Sequence, residues 1–212
     1  MIRARVEANM LHPHTELRHV SKLIGYGVFA TQLIPKGTIT WVRDDLDQTF
    51  SPGEIAGFRQ EYQDLLEKYS FIDRSGNAVL CWDLARYINH SCDANCLSAG
   101  YEFEIAVRDI LPGDELTDDY GTLNLTELFR CHCYHPNCRR DIMPDDLTRL
   151  WEEWDVKLRG AFPLIKTAEQ PLIRYVRNRA EFEEALLSPA KMRSCRFNYF
   201  PRLFADQEVR AM

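Results

Sequence analysis

No stretch of this chain approaches the roughly eighteen consecutive apolar residues that a membrane span requires. The opening MIRARVEANMLHPHTELRHV has no apolar core after its positive start. Neither a membrane-crossing helix nor a secretory leader is expected, and the chain reads as soluble and intracellular, in the cytoplasm or the nucleus. Positive charge is also scarce: 26 lysines and arginines face 32 acidic residues, for a formal net charge of -6. Acidic pairs at Asp44-Asp45, Asp114-Glu115, Asp118-Asp119 and Asp145-Asp146 are the opposite of a phosphate-binding surface. Direct nucleic-acid binding is therefore not expected, and a basic peptide suits the charge better. No basic cluster reads as a nuclear import signal, and no low-complexity linker or true internal repeat breaks up the 212 residues. With 45% hydrophobic residues, the composition fits one domain with a modest extension.

The elements that are present change character along the chain. In LIGYGVFATQLIPKGTITWV, glycines interrupt an apolar run, VFAT reads as a strand, and IPKG turns into the β-rich ITWV. From Ser51 the pattern becomes helical. Ser51 can cap, Pro52 suits the first helical position, Glu54 completes a capping box, and Ile55, Phe58, Tyr62, Leu65, Leu66 and Tyr69 keep helical spacing. One helix is expected to about Tyr69. In YEFEIAVRDI, Tyr101, Phe103, Ile105 and Val107 alternate with Glu102, Glu104, Ala106 and Arg108, the signature of a half-buried strand. LPGDELT then echoes LIPKGTIT as a second hairpin of similar style. Pro144-Asp145-Asp146 opens a helix with Leu147, Leu150, Trp151, Trp154 and Leu158 on one stripe, and the tail beyond Pro163 is expected to be helical between its prolines and to pack on the main domain.

Seven cysteines without a secretory context favour metal ligands or reactive thiols over disulfides. Three of them, Cys131, Cys133 and Cys138, lie in CHCYHPNC, close enough to converge on one zinc ion, which wants a fourth ligand. Cys92, Cys96, His132 and His135 are the candidates. The spacing fits neither usual ferredoxin pattern, so an iron-sulfur cluster is the weaker reading. His90 and Cys92 in RYINHSCDANC also invite a nucleophile-and-base reading. Cysteine hydrolases, however, usually place the histidine far away in sequence.

Taken in order, GYGVFA at 25 to 30, RYINHSCDAN at 86 to 95, ELTDDYG at 115 to 121 and CHCYHPNC at 131 to 138 resemble the sequence blocks of SET-domain protein-lysine methyltransferases with a cysteine-rich post-SET segment. The resemblance covers about Leu17 to Arg139. It implies a mainly β fold of short sheets with a pseudoknot, in which the NHSC segment threads beneath the loop of the ELTDDYG block and brings residues near 90 and 120 together. The implied division is an N-terminal segment 1–16, a SET domain 17–122 with a variable insert at about 44–83 that carries a helix, a post-SET segment 123–140, and a helical C-terminal extension 141–212.

The resemblance also implies roles for single residues. Gly25, Tyr26 and Gly27 form a turn that receives S-adenosylmethionine by close backbone approach, Arg86 and Tyr87 flank the cofactor, Asn89 binds its amino-acid end, and the backbone at His90 holds its adenine. Cys92 becomes the fourth zinc ligand beside Cys131, Cys133 and Cys138, and Cys96 is left as a buried thiol. Tyr120 aligns with the catalytic tyrosine, beside a channel that receives the ε-amine of a lysine in a protein such as a histone or another basic protein. Two residues earlier the family usually has Phe or Tyr, and this chain has Asp118; Ala94 replaces a usual proline. An ionised Asp118 would stabilise the ammonium form of the lysine. Three outcomes follow: a neutral Asp118, an atypical substrate, or, the favoured one, a larger, water-holding pocket that accepts higher methylation states. The competing readings are a peptide-binding module without catalysis and a cysteine hydrolase using Cys92.

Overall fold

A computed structural model describes residues 9–201. In chain order its elements are β1 (Thr15–Ser21), β2 (Gly25–Ala30), β3 (Ile39–Val42), β4 (Gln48–Phe50), α1 (Pro52–Ala56), α2 (Gln60–Tyr69), β5 (Ser70–Ile72) and β6 (Ala78–Leu80). They continue with β7 (Asn89–His90), β8 (Cys96–Ser98), β9 (Phe103–Ala106), β10 (Glu115–Asp118), β11 (Phe129–Arg130), β12 (Asp141–Ile142), α3 (Asp146–Ala161) and α4 (Arg179–Leu187). The strands form small sheets ordered β1-β2-β10-β7, β3-β9-β8, β4-β6-β5 and β11-β12. This is the mainly β architecture of short sheets, with an inserted helical pair and a helical extension. Of the N-terminal segment, residues 1–8 lie outside the described residues; Met10 and Leu11 are buried, and Leu11 bridges Trp41.

The crossing of the chain is set by backbone pairing. β7 runs parallel to β10, with Asn89 beside Thr117 and His90 beside Asp118. Asn95 pins the crossing: its Nδ2 donates to Glu115 O at 2.8 Å, and its Oδ1 accepts from Thr117 N at 2.8 Å. The two hairpin turns that echo one another in sequence also meet, through the Ile34–Ile110 bridge.

Ser51 and Glu54 form the expected capping box, but the single helix expected to Tyr69 is two. Gly57 ends α1, and Arg59 has extended backbone angles before α2 starts. Of the apolar positions in α2 only Leu66 is buried, so no core face held one continuous helix together. The tail beyond Pro163 is also less regular than expected: α4 is its one α-helix among the described residues, between short 3-10 turns. It does pack on the main domain, since Phe162 and Phe182 join Tyr101, Phe103, Leu147, Trp154 and Leu158 in one core cluster.

Strand β9 requires a further correction. All four of its residues are buried, because it lies between β3 and β8 and is covered on both faces. Phe103 and Ile105 enter the core cluster, whereas Glu104, expected on a solvated face, is only 8% exposed.

Candidate functional site

The cysteine centre comes from the β7–β8 loop and the loop between β11 and β12. The ligand-capable sulfurs of Cys92, Cys131, Cys133 and Cys138 all lie within 4.8 Å of one another. Cys92 Sγ is 3.8 Å from Cys131 Sγ and 4.0 Å from Cys138 Sγ, close to the ~3.8 Å edge of a tetrahedron with ~2.3 Å zinc–sulfur bonds. Backbone N–H groups of Cys133, Arg139 and Arg140 donate to Cys131, Cys92 and Cys138 sulfurs, each at 3.3 Å, a setting that favours thiolates. Four cysteines in this arrangement can hold a structural metal ion. Cys81, Cys96 and Cys195 are buried elsewhere as free thiols.

Next to this centre, His90 Nε2 lies 3.3 Å from Cys92 Sγ, and its Nδ1 accepts from Tyr120 N at 3.1 Å. Burial pushes the imidazole down to about 4, assisted by Arg139 and opposed by Asp119. His90 is thus a neutral acceptor that fixes the Tyr120 backbone. A cysteine nucleophile reading loses its base, and Cys92 faces three other sulfurs.

Most of the other residues singled out in the sequence lie where β2, β10 and β7 share a sheet, outside the lining of the Tyr120 cavity. Gly25 has φ +90°, which L side chains rarely adopt. At Gly27 a Cβ would lie 2.9 Å from Asn89 Nδ2 and would collide with the Glu115 carboxylate, so the missing side chain makes room for both. Asn89 Nδ2 donates to Glu115 Oε1 at 2.6 Å and to Tyr26 O at 3.0 Å. Tyr87 packs edge-on against Tyr26, with ring centroids 6.1 Å apart, and Arg86 Nη2 donates to Trp82 O at 3.1 Å. Phe129, which sequence reading passed over, sits edge-on to His90 at 5.8 Å and 5.3 Å from Tyr120.

Tyr120 and Asp118 both line a cavity of about 270 Å³. Strand alternation does not place them there: β10 ends at Asp118, and Tyr120 opens a 3-10 turn. Tyr120 Oη donates to Ile88 O at 2.9 Å. Burial, then the carboxyls of Asp118, Glu115 and Glu104, push its phenol well above the usual range, so it stays protonated. Trp41, Phe71, Ile88 and Tyr101 supply apolar wall, while Arg193 and Phe197 bring the C-terminal extension into the lining.

Sequence reading also missed a clamp behind this wall. Arg139 grips the buried Asp119 with two nitrogens, at 2.6 and 2.8 Å, and Trp154 Nε1 donates to the same carboxylate at 3.1 Å. One carboxylate thus joins the ELTDDYG turn, the cysteine segment and α3. Only the acidic run Asp118-Asp119 followed by a nearby Arg139 hinted at it.

Comparison with known proteins agrees with this geometry. The SET domain family model matches residues 25–121. Histone-lysine N-methyltransferase trr of Drosophila melanogaster is 30% identical over 134 residues, covering 57% of this chain and 5% of that protein. Histone-lysine N-methyltransferase Set2 of the same fly is 32% identical over 128 residues, covering 54% of this chain and 5% of that protein. The chain therefore spans a small part of the length of these relatives. Among solved structures, KRYPTONITE in complex with mCHG DNA and SAH aligns at a TM-score of 0.44 with 22% identity, over 63% of this chain and 29% of that one. The match to the SET domain family model thus lies on the glycine turn, the crossing of β7 and β10, and the Tyr120 turn.

Proposed function

We propose that this protein transfers a methyl group from S-adenosylmethionine to the ε-amine of a lysine in a protein substrate. The observation that carries the reading is the protonated Tyr120 held between the neutral His90 and the Ile88 carbonyl on the wall of a largely apolar cavity. S-adenosylmethionine, when bound, supplies a methyl group on an electrophilic sulfonium. The residues of this chain receive it and present the amine. In this reading Gly25 and Tyr26 offer backbone to the cofactor, Gly27 makes room for Asn89 and Glu115, Asn89 offers a fixed amide, and the resemblance assigns Arg86, Tyr87 and His90 to the remaining sides. Tyr120 orients the amine with its hydroxyl, and Trp41, Phe71, Ile88 and Tyr101 give the displacement an apolar surround. A free lysine has a pKa of about 10.4, and burial in such a cavity lowers it. Asp118, in place of a bulky aromatic, leaves space for more than one methyl group, and Asp118→Phe is expected to shift the products toward lower methylation.

Cys92, Cys131, Cys133 and Cys138 hold a structural zinc ion in this reading, which ties the segment 123–140 against the cofactor side of the domain. The protein works inside the cell, where such thiols stay reduced. Its net negative charge suits a basic, histone-like segment as the substrate. Thermal stabilisation by S-adenosylhomocysteine, with zinc counted by elemental analysis, tests both halves: a raised melting temperature and one zinc per chain are expected, and the absence of both rejects the reading. A peptide-binding module without catalysis would show zinc without stabilisation.

A further inference from the structure

The cavity that Tyr120 lines carries a second polar feature, of which the roles above use only the small size of Asp118. Glu104, from the central strand β9, and Asp118, from the end of β10, come from different sheets and meet in its wall. Glu104 is 8% exposed and Asp118 3%. Asp118 donates a hydrogen bond to the Glu104 carboxylate, while its own Oδ1 accepts from Asp119 N at 2.7 Å. Glu104 Oε2 has no hydrogen-bond partner among the described residues, and neither has Trp41 Nε1 on the paired strand β3. A buried, acceptor-only oxygen on a cavity wall lacks the donor that would offset its loss of water.

Resting on the methyltransferase reading, we propose that Glu104, with Asp118 holding the second proton, is the base that takes the proton from the substrate lysine ammonium. The N–H bond of the ammonium breaks and the proton passes to the Glu104 carboxylate, leaving a neutral carboxyl pair and a neutral amine. That amine's lone pair then forms the N–CH3 bond as the S–CH3 bond breaks and its electrons go to sulfur. Glu104 afterwards releases its proton to water at the cavity mouth.

The surroundings suit this task. Burial raises Glu104 to about 7, opposed by the hydrogen bond from Asp118, and burial together with Glu104 and Asp119 raises Asp118 well above the carboxylate range. The pair therefore carries about one proton and one negative charge near neutral pH, and a base poised near the working pH is the effective kind. The titratable and charged groups around the pair are Asp119 beside Asp118, His90 on β7, Tyr120, the thiols of Cys81 and Cys96, and, in the lining of the same cavity, Arg43, Asp73, Arg74, Glu102 and Arg193. His90 and both thiols are neutral at that pH, so the rising limb of the rate profile belongs to the carboxyl pair.

The test is the pH dependence of kcat for methyl transfer to a lysine peptide, for the wild type, Glu104→Gln and Asp118→Asn, with S-adenosylhomocysteine affinity measured in parallel. The wild type should show a limb near pH 7. Glu104→Gln should lose on the order of 100-fold in kcat at pH 7, recover as pH rises toward the lysine's own range, and keep its affinity for S-adenosylhomocysteine. Asp118→Asn replaces the acid O–H that stabilises the Glu104 carboxylate with a weaker amide donor and should move the limb to higher pH. Should Glu104→Gln fail to fold, an unmoved limb in Asp118→Asn still rejects the proposal. Equal losses at every pH, or unmoved profiles in both variants, overturn the proposal and leave the methyltransferase reading standing. No transfer by the wild type overturns both.

Discussion

The sulfur centre and the carboxyl pair, two polar sites in one small domain, are assembled in opposite ways. Three of the four sulfurs come from one eight-residue stretch, and backbone N–H groups face them in support of negative charge. The carboxyl pair is drawn from two sheets, and the charged groups acting on Asp118 are other carboxyls, so one charge is suppressed by protonation. The first arrangement is a clip whose cost a bound metal ion would meet. The second stays strained until a cationic ligand arrives, which is the usual sign of function over stability.

Breaking the clip should have the largest effect. Cys131→Ser, or chelation of the metal, removes a site of a kind worth on the order of 10 kcal/mol to small domains and should abolish stabilisation by S-adenosylhomocysteine, as read by thermal unfolding. Next comes the joint between the two centres. Asp119→Asn breaks the paired grip of Arg139 and should cost about 3 kcal/mol in denaturant unfolding, because a partly buried guanidinium loses its counter-charge.

The carboxyl pair should respond with the opposite sign. Burial raises the folded-state pKa of Glu104 to about 7, above the ordinary glutamate range. Its contribution is full below the unfolded value and is lost as pH rises through the folded one. Glu104→Gln should therefore unfold at a higher temperature than the wild type at pH 8, by on the order of 2 kcal/mol, and lose that advantage at pH 4. A variant that is more stable yet less active would separate this centre from the sulfur clip. Smallest of all, Ser51→Ala removes the capping box of α1, far from both centres. It should cost about 1 kcal/mol with no change in zinc content or cofactor affinity.

The same contrast explains what could be read from the sequence. CHCYHPNC is legible because its ligands are counted along one loop, and the capping box at Ser51 and the stripe of α3 are legible because local periodicity generates them. Cys92 and Tyr120 became legible through ordered blocks that resemble a family, since thirty or more residues separate each from its partners. Glu104 was illegible: alternation in YEFEIAVRDI assigns it to water, and only the central position of β9 buries it. The break at Gly57 was hidden because Phe58, Tyr62 and Leu65 keep helical spacing although no core meets them. The wall that Arg193 and Phe197 add to the cavity depends on where the C-terminal extension docks, which no local pattern encodes.

The measurement closest to the centre of this account is transfer of labelled methyl from S-adenosylmethionine to an array of lysine-bearing and lysine-to-arginine peptides, by the wild type and by Tyr120→Phe. Label confined to lysine peptides, reduced about 100-fold in Tyr120→Phe with zinc content intact, is the predicted result. Zinc-loaded, folded wild-type protein that labels no lysine peptide or protein, or a Tyr120→Phe variant as active as the wild type, would contradict it.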